Sequence, residues 1–104
     1  MPRSKLPNRR NSEVFTFEIG GVPYRAQMSR FADGRIAELF LDGPKIGSSA
    51  QIAAHDAAVC ASIALQRGAS ADDLRHSLTK LANGKGAGPI GVALELAEAR
   101  DADD

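Results

Sequence analysis

EVFTFEIGGVPYRAQMSRFADGRIAELFL, residues 13–41, decides the fold of this chain. Its first seven residues alternate. Val14, Thr16 and Glu18 lie on one side and Phe15, Phe17 and Ile19 on the other, the period of a half-buried strand whose aromatic side faces the core. Gly20-Gly21 accepts positive φ at both positions of a two-residue turn, so the spacing predicts an antiparallel return over residues 22–30, with Pro23 weakening its start. The segment Phe31-Ala32-Asp33-Gly34 ends in an Asp-Gly turn. Residues 35–41 then alternate again, setting Ile36, Glu38 and Phe40 against Ala37, Leu39 and Leu41. Three strands joined by tight turns make an antiparallel meander with one apolar face to cover.

The cover comes next in the chain. Leu41-Asp42-Gly43-Pro44 breaks the third strand, and Ser48 or Ser49 caps a helix running to about Arg67. Its polar positions Gln51, His55, Ser62 and Gln66 fall on one narrow stripe. Alanines with Val59, Ile63 and Leu65 occupy most of the remaining circumference, which predicts burial on more than one side. The alanines also admit a second backbone closely, so a homodimer through this Ala-rich helix is expected. Gly68 ends the helix, and Ser70 caps a shorter one with Asp72 and Asp73 in its first turn. Leu74, Leu78 and Leu81 mark the inward face of that second helix, which should stop near Ala82. NGKGAGP, residues 83–89, reads as a loop before a third helix over residues 90–100. The order predicts an α+β domain over residues 13–100: a three-stranded antiparallel meander followed by three helices, the first long, Ala-rich and packed on the sheet. A flexible basic arm, residues 1–12 with Arg3, Lys5, Arg9 and Arg10, is expected before it, and an acidic tail, residues 101–104, after it.

Composition narrows the function classes. A length of 104 residues with 43% hydrophobic and 25% charged residues supports one domain with one modest core and excludes a large catalytic barrel. Thirteen Lys and Arg balance thirteen Asp and Glu, so no whole-molecule field draws the chain to nucleic acid or an anionic membrane. Any anion site must therefore be local. The single cysteine, Cys60, excludes an internal disulfide and a cysteine-only metal site, and a reducing, cytoplasmic setting is expected. No apolar run is long enough for a membrane span, and no secretion signal follows the basic start.

GPKIGSSA, residues 43–50, joins a lysine, glycines and serines to a helix start, where backbone N–H groups and the helix dipole favour a phosphate. Lys45, Gly47, Ser48 and Ser49, with Arg25 and Arg30 as further cations, are the candidate ligand residues. The order is not that of a Walker A loop, and a strand-to-helix connection with serine caps is the alternative reading. The glycines at residues 84–88 follow a helix instead of a buried strand, so they read as a linker. His55, Asp56 and Cys60 do not make a catalytic set: His55 and Cys60 are five residues apart and diverge on a helix, and Cys60 among alanines is expected as a small core residue. His55 and His76 have no metal-ligand spacing, and the helix start accounts for Asp72 and Asp73. No catalytic residue, metal or cofactor is expected from these residues.

Three segments together carry a resemblance: N-R-R-x-S-E-x-F-x-F-x-I-G-G (residues 8–21), S-R-F-A-D-G-R-I-A-E-L-F-L (residues 29–41) and G-S-S-A-Q-I-A-A-H-D-A-A-V-C-A-S-I-A-L-Q-R-G (residues 47–68). This order resembles the TSCPD domain, and G-P-I-G-V-A-L-E-L (residues 88–96) is similar to the ending of its small members. The family occurs as small stand-alone bacterial proteins and as a C-terminal segment of adenosylcobalamin-dependent ribonucleotide reductases. The resemblance implies a small binding or accessory module, with a nucleotide, a nucleic acid or a reductase subunit as its partner. The matching positions are turn and core residues, and the cysteine-proline motif of the family name is missing here. Ribonucleotide reduction needs a thiyl-forming cysteine and a separate redox pair, which one cysteine cannot supply. Membership of a ribonucleoside-diphosphate reductase system and a purely dimeric interaction domain are the alternative functions.

Overall fold

The computed structural model describes residues 12–43 and 47–102, and the side chains among them up to Ala99. Nearly all of the expected basic arm, together with Lys45, lies outside the described residues. The architecture is the α+β order that the sequence predicts: β1 (Glu13–Ile19), β2 (Val22–Arg30), β3 (Ile36–Asp42), α1 (Ser49–Gln66), α2 (Ala71–Ser77) and α3 (Pro89–Ala102). The three strands form one antiparallel sheet in the order β1-β2-β3.

Gly20 and Gly21, at φ of 57° and 81°, close the first hairpin as a turn whose twist matches the flanking strands. Pro23 sits opposite Glu18, and pairing of β2 with β3 starts only at Arg25 opposite Asp42. The proline therefore occupies a stretch that the third strand does not reach, where its missing N–H breaks no ladder bond. Met28 and Ala26 of β2 and Leu39 and Leu41 of β3 point into the core, against Ala54, Ala58 and Leu65 of α1 and Ile90, Ala93 and Leu94 of α3. Phe15, Phe17 and Tyr24 pack at the edge of this core and remain partly exposed. The Phe17 and Tyr24 rings stack at 5.6 Å.

Helix α1 seals the outer edge of β3. The Ser62 hydroxyl accepts from the Leu39 backbone N–H at 2.9 Å and donates to the Leu39 carbonyl at 2.8 Å. One step along the edge, the Gln66 side-chain amide donates to the Ala37 carbonyl at 3.2 Å. Two side chains thus do for β3 what a fourth strand would do. Ser62 and Gln66, half of the narrow polar stripe seen in the sequence, are consequently buried.

The expectation of burial on more than one side is corrected within the chain. Ala54, Ala58, Ala61, Ser62, Leu65 and Gln66 form a single buried face, and Ile52, Val59 and Ile63 on the opposite side are exposed. Cys60 is exposed as well, not a core residue, because it falls outside that face.

The second helix is also shorter than its leucine spacing predicts. It ends at Ser77, and Leu81 is 54% exposed. Thr79 and Leu81 turn away to pair with Ala87 and Lys85, while the Lys80 ammonium donates to the Arg75, His76 and Leu78 carbonyls at the end of α2. A cation there satisfies groups that a helix end leaves open. Helix α3 runs to Ala102, two residues into the segment expected as an acidic tail.

Replacing Ser62 by alanine leaves both Leu39 backbone groups buried without a partner. Ser62→Ala is expected to lower the unfolding free energy by about 2–6 kcal/mol, about 1–3 for each orphaned group, and Ile63→Ala on the exposed face to change it by no more than about 0.5 kcal/mol. Urea denaturation of both variants checks the contrast.

Candidate functional site

The turn from β3 into α1 is organised by Gln51. Its backbone N–H donates to the Ser48 hydroxyl at 3.1 Å, and its side-chain oxygen accepts from the Gly47 N–H at 3.2 Å. Ser48 is the N-cap of α1, with extended backbone at φ −74° and ψ 156°. Gly43 lies against the same residue: a Cβ built there would stand 2.6 Å from the Gln51 Cα, so only glycine fits. Ser49 opens the helix and is exposed. The helix start thus presents Gly47, Ser48 and Ser49 at the surface, with the Gly47 and Gln51 N–H groups engaged inside the turn.

The two arginines named with this loop separate. Arg25 stands opposite Asp42 and its guanidinium lies 3.8 Å from that carboxylate, which places it at the end of the sheet where the loop begins. Arg30 lies at the other end of β2, opposite Ile36. Its guanidinium binds the Glu13 carboxylate at 2.8 Å, the Gly34 carbonyl at 2.9 Å and the Ala97 carbonyl at 3.2 Å. Arg30 therefore joins β1, the β2–β3 turn and α3, and the structure does not bring it to the loop.

Arg30 instead borders a cleft of about 360 Å³ between the β2–β3 turn, the start of α2 and α3. Buried Phe31, Ile36 and Leu94 form its apolar lining, and Arg35 and Arg75 stand at its rim with Asp33, Asp72 and Glu98. The volume lies within the range of small-molecule sites. Every one of these guanidiniums has an internal carboxylate. Arg35 reaches Asp33 at 2.7 Å and lies 4.9 Å from the Phe31 ring centre, and Arg75 pairs with both Asp72 and Glu98. Hydrogen bonds from the Arg35 backbone N–H and then from its side chain hold the Asp33 carboxyl below the usual aspartate range. The hydrogen bond from Arg75 does the same for Asp72, and in return raises Arg75. Sequence reading missed the cleft because its residues come from three separate stretches, near residues 30–36, 69–75 and 94–98. No local spacing marks it.

The remaining candidates stay apart from both places. Asp73 completes a capping box with Ser70, each side chain bonding the other's backbone N–H. Among the described residues, no three His, Cys, Asp or Glu side chains converge as a metal site. No helix of the described residues is long and apolar enough to cross a membrane.

No family model matches this chain, and no solved structure matches it. Two curated proteins are similar to it. The vitamin B12-dependent ribonucleotide reductase of Agrobacterium fabrum is 32% identical over 77 residues, which is 74% of this chain and 6% of that enzyme. The protein of the same name from Bradyrhizobium diazoefficiens is 29% identical over 77 residues, with the same coverage. The chain is thus similar to a segment of these reductases, and the match spans 6% of their length.

Two outcomes are expected from this geometry. Gly43→Ala forces a methyl group against the Gln51 backbone and should lower stability by roughly 1–3 kcal/mol, with amide shifts at Gly47, Ser48 and Gln51 in NMR spectra. In Arg75→Ala, the Asp72 carboxyl should titrate at a higher pH than in the parent, read from its side-chain carbon shift. Because the folded Asp72 value is depressed, the stabilisation it gives is present at neutral pH and is lost only as the pH falls below the ordinary aspartate range.

Proposed function

We propose that this chain is a TSCPD-type accessory module, related to the reductase segment it matches, and that it binds a nucleotide or nucleic-acid phosphate at the start of α1. The observation that carries the relation is the asymmetry of the match, 74% of this chain against 6% of each reductase. A segment of that size is a domain's worth of sequence, and its single cysteine cannot both form a thiyl radical and supply a redox pair. On this reading the module is non-catalytic and acts with a reductase subunit.

The phosphate reading rests on Gly47, Ser48 and Ser49 at the helix start, beside the end of the sheet where Arg25 sits. A phosphate there accepts from backbone N–H groups and gains from the positive end of the α1 dipole. Lys45 lies within the same loop in sequence and supplies the cation. Arg25 contributes by exchanging its exposed contact with Asp42 for the ligand. Exposed ion pairs are worth little, so that exchange is inexpensive.

A second reading draws on the exposure of Cys60. An accessible thiol is compatible with a direct role inside a ribonucleoside-diphosphate reductase system. Cys60→Ala should leave stability unchanged, and loss of activity in a reconstituted reductase would favour this second role over the accessory one.

An amide NMR titration with ATP, dATP and a short DNA tests the phosphate site. Saturable shifts centred on residues 47–50, weakened at least tenfold in Lys45→Ala and by added salt, are expected. Unmoved spectra with all three ligands reject phosphate binding at the start of α1.

A further inference from the structure

We infer that the basic segment before β1 docks on its own domain, with the guanidiniums of Arg9 and Arg10 at the acidic side of the cleft between the β2–β3 turn, α2 and α3. The zero net charge of the chain is unevenly divided. Residues 1–12 hold four basic side chains and no acidic one, so the residues after them carry four more acidic than basic side chains. A cationic segment tethered to such a domain gains most where carboxylates outnumber their cations.

The cleft is such a place. Asp72 of α2 and Glu98 of α3 share the single guanidinium of Arg75, and Glu95 lies close enough to act on it as well. Among the described residues no second cation pairs with Asp72 or Glu98, and their side chains remain 63% and 57% exposed. On the facing wall Asp33 is matched one to one by Arg35, so the surplus of negative charge sits on the α2–α3 side. Carboxylates one guanidinium apart, with lone pairs still open to water, suit the planar fork of a further arginine.

The path of β1 supplies the reach. Glu13 enters the sheet opposite Met28 while β2 continues past that point to Arg30, so the chain before Glu13 arrives at the end of the sheet where the cleft lies. The Arg30 guanidinium, part of the cleft wall, bonds the Glu13 carboxylate and also the carbonyl of Ala97, the neighbour of Glu98. One guanidinium therefore spans from the start of β1 to α3. Arg10 and Arg9 precede Glu13 by three and four residues. That length of chain reaches at most about 10–14 Å, and an arginine side chain extends it across the gap.

NMR of the full, isotope-labelled chain tests the contact. At low salt the backbone amide NOE of residues 9 and 10 should match that of β1. Arg9→Ala combined with Arg10→Ala should shift the amides of Asp72, Ala97 and Glu98, and leave those of Gly21 and Gln51 at the far end of the sheet in place. Removing two charges elsewhere in the segment, as Arg3→Ala with Lys5→Ala, should move none of them. Glu98→Gln should lower the NOE of residues 9 and 10 to that of a free chain end, and so should about 1 M salt, which screens exposed charges beyond about 3 Å. Free-end NOE values in the parent at low salt overturn the inference. So do cleft shifts that Arg3→Ala with Lys5→Ala reproduces, which would mark a general effect of charge, and cleft shifts that fade on dilution, which would assign the segment to a second copy.

Discussion

A serine hydroxyl stands in for a strand in this protein. β3 ends the sheet on one side, and the outward N–H and C=O of Leu39 both bond to Ser62, with Gln66 taking the Ala37 carbonyl. Leaving those groups buried and unmade would cost about 1–3 kcal/mol each, a large part of the margin by which a domain of this size is folded. The bonds also set the position of α1. Once Ser62 is held at Leu39, the helix can present only the face containing Ala54, Ala58, Ala61 and Leu65 to the sheet. The remaining apolar residues of the helix are left outside.

The placement of α1 determines what surrounds it. Its start is drawn to the end of β3, where Gln51 bonds Gly47 and Ser48 and packs on Gly43. The loop that carries the candidate anion ligands is therefore built against the helix that presents them. Farther round, Arg30 ties β1 and the β2–β3 turn to the carbonyl of Ala97 on α3, closing the opposite end of the sheet. An arginine in that position is structural first. Its carboxylate and carbonyl partners already use the guanidinium fork, and its side chain is only 11% exposed.

The same asymmetry shapes the relation to the reductases. The shared 77 residues are 74% of this chain and 6% of those enzymes. A unit whose strands and helices already satisfy one another can be carried as a segment or stand as a module.

Much of the fold was legible in residues 13–41, because strand alternation and two-residue turns are local properties. Phe15 and Phe17 lie on the core side that their spacing indicates, and Leu39 and Leu41 share one face as their alternation requires. A serine cap at Ser48 or Ser49 and one at Ser70 were legible for the same reason, since each is a bond between residues three apart, and the structure selects Ser48 and adds the return bond from Asp73. What sequence could not decide was which side of an almost wholly apolar helix turns inward. The choice was made by the outward backbone of β3, which draws two polar residues of α1 into the core and leaves Ile63 and Cys60 outside. The destination of Arg30 and the cleft it borders were likewise settled by contacts up to 67 residues apart in the chain. Local chemistry determined the elements; the need to satisfy buried polar groups across the chain determined how they face one another.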